Sequence, residues 1–204
     1  MISLIQDYVT SLQDTLQRLP DDDAIDHVIS EIVDAGEHGR TIFLLGNGGS
    51  AATASHFACD LAKGTQHHGM RPFRVIALTD NVPLMTAWGN DTSYDRIFAE
   101  QLRPLVQADD LVIGISGSGN SPNVLEAMHV AHEAGARTIG WTGFQGGKLK
   151  ALVDLCIVVP SNCMEQIEDI HLILEHAICT ALRTQRQRDD VAQADLPLAQ
   201  PVGV

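Results

Sequence analysis

Thr41-Ile42-Phe43-Leu44-Leu45-Gly46-Asn47-Gly48-Gly49-Ser50 is the stretch that decides the fold. A short apolar run enters a glycine-rich turn, and the helix-forming Ala51-Ala52-Thr53-Ala54 follows. An apolar run this short and unbroken fits a strand buried on both faces, as in a parallel sheet covered by helices. Working outward, similar runs recur at 73–78, 111–115, 138–141 and 155–159, and glycine or polar turns bound most of them. Segments of helical character lie between, notably 50–63 and 122–134. Strand–helix alternation of this kind predicts an α/β domain, a three-layer αβα sandwich around a five-stranded parallel sheet with right-handed crossovers.

The flanks read as helices. Ile5, Val9, Leu12, Leu16 and Leu19, then Ile25, Val28, Ile29, Ile32 and Val33, follow a helical period. The two series are separated at Leu19-Pro20-Asp21-Asp22-Asp23, where the acids suit a helix start, and Gly36 suits a stop. A last long helix is expected from about 163 to 188. The reading is one domain over 1–188, with 189–204, poor in bulky apolar groups, as a disordered tail. Two amphipathic N-terminal helices and a long final one exceed what a small sheet needs as cover, so part of their apolar surface is expected between subunits.

Charge narrows the function. The 204 residues carry 13 Lys+Arg against 26 Asp+Glu, a net −13. Nucleic-acid affinity rests largely on phosphate neutralisation by basic side chains, so direct nucleic-acid binding is not expected. Small phosphorylated ligands remain open, because backbone N–H groups at helix starts can hold them. No run approaches the roughly 18 apolar residues of a membrane span, and Met1–Ile5 lacks the basic start of a signal peptide. The four cysteines show no CxxC spacing and read as reduced thiols, in keeping with the cytoplasm.

Ligands of open α/β sheets sit beyond the carboxyl ends of the strands, and two of the predicted strands end in unusual turns. Gly46–Ser50 has neither dinucleotide-binding nor Walker spacing; its glycines permit close backbone approach, and Ser50 is placed to cap the helix or bond an anion. Ser116-Gly117-Ser118-Gly119-Asn120-Ser121-Pro122 gathers three hydroxyls at a helix start, with Pro122 suited to the first helical turn. That makes a phosphate cradle needing no lysine, while a nucleophile elbow fails because no serine here has glycine on both sides at the required spacing. Downstream, His56 and Asp60 are four apart on a helix and face one way, as a metal-chelating pair, a proton-transfer dyad or a plain surface pair. Glu168 and His176 share a face of the last helix, separated by about 80° and about 12 Å of rise. That rise is awkward for two ligands of one ion. Either they reach toward each other from opposite ends of a site, or one chain's helix completes a neighbour's site. His171, about 140° from His176, reads as a packed histidine.

GNGGS after the first strand, ISGSGNS after the third, and Thr142-Gly143-Phe144-Gln145-Gly146-Gly147 together resemble the sugar isomerase (SIS) domain, a flavodoxin-like fold. His56-Phe57-Ala58, Gly89-Asn90-Asp91 and Gln166-Ile167-Glu168-Asp169-Ile170-His171 are similar to the phosphoheptose isomerases within it, and the resemblance spans roughly 1–185. It implies an aldose–ketose isomerase that interconverts sedoheptulose 7-phosphate and D-glycero-D-manno-heptose 7-phosphate through an enediol(ate). It implies a Zn2+ site on His56, Asp60, Glu168 and His176, with Asp60 and His176 as base and acid. Two of these depart from the family, which has glutamate at 60 and glutamine at 168. Substrate contacts carry over to Asn47, Gly48, Gly49, Ser50, Asn90, Asp91, Ser116, Gly117, Ser118, Ser121 and Glu168, with Gly117 where many members have threonine. A homotetramer with interfacial active sites is also implied. The alternative is a non-catalytic SIS protein, a phosphosugar sensor or DnaA-associating scaffold; retention of both His56 and His176 favours the enzyme.

Overall fold

The five apolar runs form five strands: β1 (Thr41–Gly46), β2 (Arg74–Ala77), β3 (Leu111–Ile115), β4 (Arg137–Thr142) and β5 (Leu155–Val158). The structure is a computed structural model that describes residues 2–19, 22–67 and 69–194. All strand pairs are parallel, in the order β2-β1-β3-β4-β5. Every residue of β1 and β3 is buried, which explains their unbroken apolar sequence, whereas the edge strand β2 keeps Arg74 and Ile76 exposed.

The helices divide between the two faces. In chain order they are α1 (Ile2–Leu16), α2 (Asp22–Glu37), α3 (Gly49–Cys59), α4 (Val82–Asp91), α5 (Ala99–Leu102), α6 (Pro122–Ala134), α7 (Leu149–Leu152) and α8 (Met164–Ala194). Because successive strand side chains point to opposite faces, Ile42 and Leu44 meet Val28, Phe57 and Ile170 from α2, α3 and α8. Phe43 and Leu45 meet Phe98, Leu102 and Met128 on the other face. Trp141 is fully buried on the α8 side, stacked on Phe57 with centroids 5.4 Å apart.

Two boundaries moved. Gly36 lies inside the last turn of α2, packed on the Phe73 ring, and the helix continues to Glu37. α8 continues six residues past 188 to Ala194, so the start of the expected tail is helical; residues 195–204, and Pro20 and Asp21 of the N-terminal break, lie outside the described residues. The order 2-1-3-4-5 reverses direction between β1 and β3. Strands that are first and third in the sequence are therefore neighbours, and both glycine turns emerge at this switch point, where open α/β sheets bind ligands.

Candidate active site

The first turn leads from β1 into α3 through Gly48, the helix N-cap, which has φ 55°. Ser50 does not cap: it lies one residue inside the helix and is buried, and no side chain caps α3. Asn47 instead ties the two turns together. Its Nδ2 donates to Asn123 Oδ1 at 2.8 Å, and its Oδ1 accepts from Asn123 Nδ2 at 2.8 Å and from the Tyr94 hydroxyl at 2.9 Å. Beside this turn a cleft of about 320 Å³ runs toward α4, lined by Asn47, Gly48, Thr79, Thr86, Gly89 and Tyr94 among others. Asn90 and Asp91 close α4; both are exposed, and Asn90 Nδ2 donates to Asp91 Oδ1 at 2.8 Å.

The second turn is built from hydroxyls. Ser116 and Ser121 share a hydrogen bond at 3.0 Å, and the Asn120 N–H donates to Ser118 Oγ at 3.2 Å. Ser121 is the N-cap residue of α6 and Pro122 opens the helix, as the sequence predicts. The third glycine cluster braces this turn from behind. Gly119 has φ 64°, and a Cβ there would run into the Gly146 carbonyl; the Leu149 N–H donates to Gly119 O and the Gly143 N–H to Gly117 O. Gly117 has a further reason to lack a side chain, since the Met164 sulfur lies 2.5 Å from where its Cβ would be. A threonine methyl and hydroxyl would have to displace that thioether.

Below the first turn, α3 runs into a π-helical turn, Asp60–Gly64, that starts on Asp60 and is closed by the Thr65 N–H on Asp60 O at 3.1 Å. Such turns concentrate at functional sites. His56 Nε2 lies 3.9 Å from Asp60 Oδ1, and α8 brings the His176 ring to 4.9 Å from the His56 ring, edge to face. Among the described residues, His56, Asp60, Glu175 and His176 place one ligand atom each within 4.8 Å of one another. The two histidine side chains are about half exposed and Asp60 is 34% exposed, so a ligand can reach them.

Glu168, expected as the second carboxylate of this group, is not among these four. Its carboxylate packs against Gly49, where a Cβ would lie 2.5 Å from Oε2. Helical rise accounts for the difference. Eight residues of α8 carry Glu168 about 12 Å from the His176 level, up to the turn itself.

Glu175 takes the position instead, and sequence reasoning missed it. Its side chain is fully buried; Oε2 stands 3.3 Å from His176 Nε2 without a hydrogen bond, while Oε1 accepts from the Cys179 thiol at 3.9 Å. Burial pushes the Glu175 carboxyl above its usual range; the neighbouring His176 and His56 oppose that shift, and Asp60 reinforces it. A signal was available. Ile167, Ile170, Leu174, Ile178 and Leu182 form the buried stripe of α8, and a glutamate at 175 falls inside it. A carboxylate in an apolar stripe needs a partner.

His171 is the packed histidine expected. It is 1% exposed, sits 5.9 Å from the Trp141 ring, and Nε2 donates to Thr142 O at 3.2 Å. A carbonyl only accepts, so Nε2 carries the proton, and burial lowers the pKa of this imidazole to about 4 against the raising effect of that bond.

Comparison with known proteins agrees with this geometry. The profile of the SIS domain family matches residues 7–143. The phosphoheptose isomerase of Aliarcobacter butzleri is 48% identical over 147 residues, covering 72% of this chain and 77% of that protein. The structure of a phosphoheptose isomerase from Francisella tularensis superposes with a TM-score of 0.81 at 31% identity, covering 90% of this chain and 98% of that one. The phosphoheptose isomerase of Neisseria gonorrhoeae gives 0.80 at 31% identity, covering 90% and 96%. All three carry the name phosphoheptose isomerase, which supports the catalytic reading over the non-catalytic alternative. A strand–turn–helix core, a hydroxyl-lined turn at the switch point and a His/carboxylate cluster at the C-terminal end of α3 agree with that likeness, and the chain belongs to the SIS domain family, within its phosphoheptose isomerase group.

Proposed function

We propose that this chain is an aldose–ketose isomerase that interconverts sedoheptulose 7-phosphate and D-glycero-D-manno-heptose 7-phosphate. The observation that carries the reading is that a chain of this family carries both a hydroxyl-lined anion cradle at the switch point and an acid–base cluster at the C-terminal end of α3. The substrate phosphate is held at Ser116, Ser118 and Ser121, where hydroxyls and the N-terminus of α6 supply the positive end that an acidic protein otherwise lacks. The sugar then extends toward the first turn, past Asn47, Gly48, Gly49 and Glu168. Asn90 and Asp91, at the end of α4, take hydroxyls of the same substrate or of one bound by a neighbouring subunit.

Isomerisation needs a proton moved between neighbouring carbons. Asp60 takes the proton from the carbon beside the carbonyl as His176 delivers one to the carbonyl oxygen, giving the enediol. Asp60 then returns its proton to the former carbonyl carbon while the hydroxyl on the first carbon gives its own to His176, which completes the exchange and restores both groups. The partial exposure of both side chains suits this work, because each must reach the substrate.

The same cluster suits a divalent cation. A set of two imidazoles and two carboxylates is a credible donor set for zinc, and the buried Glu175 Oε2, which accepts no hydrogen bond, suits a place beside a cation. His56, Asp60, Glu175 and His176 would hold the ion, which polarises a carbonyl and its neighbouring hydroxyl as a Lewis acid. The direct test incubates zinc-reconstituted protein with sedoheptulose 7-phosphate and follows aldose formation. Turnover that falls on chelation and in His176→Ala is expected; an inert wild type overturns the reading.

We also propose a cytoplasmic homotetramer. Among the described residues no helix is long and apolar enough to cross a membrane. α4 carries Val82, Leu84 and Trp88 yet buries none of its residues, and Leu4, Ile5 and Val9 of α1 are also exposed. Apolar faces left open in this way suit contact between copies. Sedimentation equilibrium measures the assembly, and a monomer at micromolar concentration would exclude it.

A further inference from the structure

We propose that Gln166 and Ser161 are positioning residues for the anion turn: together they hold Phe144 in a left-handed backbone conformation, and Phe144 sets the glycine cluster that braces Ser116–Ser121. The proposal rests on the reading that this turn takes the substrate phosphate.

The strain sits at Phe144, whose φ is 51°. A bulky L residue seldom adopts that region, because its Cβ crowds the following carbonyl, and the conformation persists only where the surroundings over-determine it. Two contacts hold it here. The Phe144 side chain packs against the core, and its N–H donates to Ser161 O at 3.0 Å. On either side of it lie the groups that reach the anion turn. The Gly143 N–H donates to Gly117 O at 2.8 Å, and the Gly146 carbonyl fills the space beside Gly119 where a side chain would stand. A rotation of the peptide between 143 and 144 would therefore carry through to the backbone of 117–119.

Ser161 is in turn fixed from two directions. Its Oγ accepts from the Cys163 N–H at 3.1 Å and donates to Gln166 Oε1 at 2.8 Å. Gln166 is 6% exposed in the first turn of α8. Its Oε1 also accepts from the Thr15 hydroxyl at 3.3 Å, and its Nε2 donates to Ser11 Oγ at 2.9 Å. A leucine would fill the same space. The amide adds three hydrogen bonds that a leucine cannot make, and they tie α1, the loop after β5 and α8 into one arrangement. None of these side chains belongs to the His56, Asp60, Glu175 and His176 group, so their effect falls on phosphate binding and leaves the proton transfer alone.

Inhibition by inorganic phosphate, with KM and kcat for sedoheptulose 7-phosphate, tests this relay on zinc-loaded full-length protein well below its melting temperature. Ser161→Ala and Gln166→Leu should each weaken phosphate inhibition about fivefold and raise the KM by a similar factor, with kcat within about twofold of wild type. Gln166→Glu keeps both acceptor contacts and can accept from the Ser11 hydroxyl, so it should stay within about twofold of wild type. Glycine enters the left-handed region freely, so in a Phe144→Gly background Ser161→Ala should change phosphate inhibition by less than about twofold. Lower melting temperatures with phosphate inhibition unchanged would assign both residues to stability alone and overturn the proposal. An equal loss from Ser161→Ala with and without Phe144→Gly overturns it as well, because the strain would then not be the link. So does a fall in kcat with phosphate inhibition unchanged, which places the effect on the chemistry. A wild type that inorganic phosphate does not inhibit overturns the phosphate reading of the turn and this proposal together, which sets that failure apart from the other three.

Discussion

The two glycine turns look alike as sequence and differ in what fills them. Gly46–Ser50 ends in a helix start that already has a carboxylate, that of Glu168, resting on its backbone, with the His56, Asp60, Glu175 and His176 group one helix length below. Ser116–Ser121 presents hydroxyls and an open helix start, braced from behind by Gly146 and Gly147. On the proposed function the first is the chemical turn and the second the anion turn. Similar backbones serve opposite charges because α8 delivers a carboxylate to one and a methionine to the other: Glu168 lies on Gly49 and Met164 on Gly117.

The largest effect that could break this comparison is on the chemical side. His176→Ala should lower kcat by about 10³, as expected on losing a general acid, and change the KM much less. A KM effect alone would place His176 in binding. Next comes the brace of the anion turn. Gly119→Ala combines a positive φ with a collision against the Gly146 backbone, and should destabilise the fold by about 3 kcal/mol, read from urea midpoints. A neutral result would mean that the second turn is not locked against Gly146 and Gly147.

A comparable effect is pH-dependent and touches both turns, because His171 ties α8 to the Thr142 carbonyl at the end of β4. Its pKa in the fold, about 4, lies below the 6.5 of the unfolded chain, so the unfolded state binds the extra proton between those values. Stability should therefore be complete above pH 6.5 and fall by on the order of 3 kcal/mol as pH drops to 4. His171→Gln should flatten that slope in urea titrations; an unchanged slope would mean another group carries it. The smallest effect sharpens the division of labour. Ser121→Ala removes one hydroxyl from the anion turn and should raise the KM about tenfold, with kcat within a factor of about three. Inorganic phosphate should inhibit the variant correspondingly less well.

Much of this was legible beforehand. Burial of β1 and β3 on both faces shows directly as runs without polar residues, and Pro122 marks the start of α6 to the residue. α4 is not legible as an element, because it buries none of its residues and only Met85, Trp88 and Gly89 of VPLMTAWGND are partly covered. In the site, His56, Asp60 and His176 were found from spacing and resemblance, and the structure gathers them. Glu175, which motif matching passed over, joins that group, and Glu168 lies at the first turn, for one reason. Motif matching counts along the chain, while ligation depends on height along α8, and one residue of helix separates Glu175 from His176 where eight separate Glu168.

By itself the sequence determined the layers, the two turns and the residue types available at each, since apolar periodicity and glycine placement are local properties of the chain. Only the tertiary structure decided that β1 and β3 are neighbours, that Asn47 and Asn123 clasp the turns together, and which glutamate of α8 enters the histidine cluster. Those depend on how a long helix is laid across a twisted sheet, which fixes heights and distances between residues far apart in the chain. No local pattern carries that information.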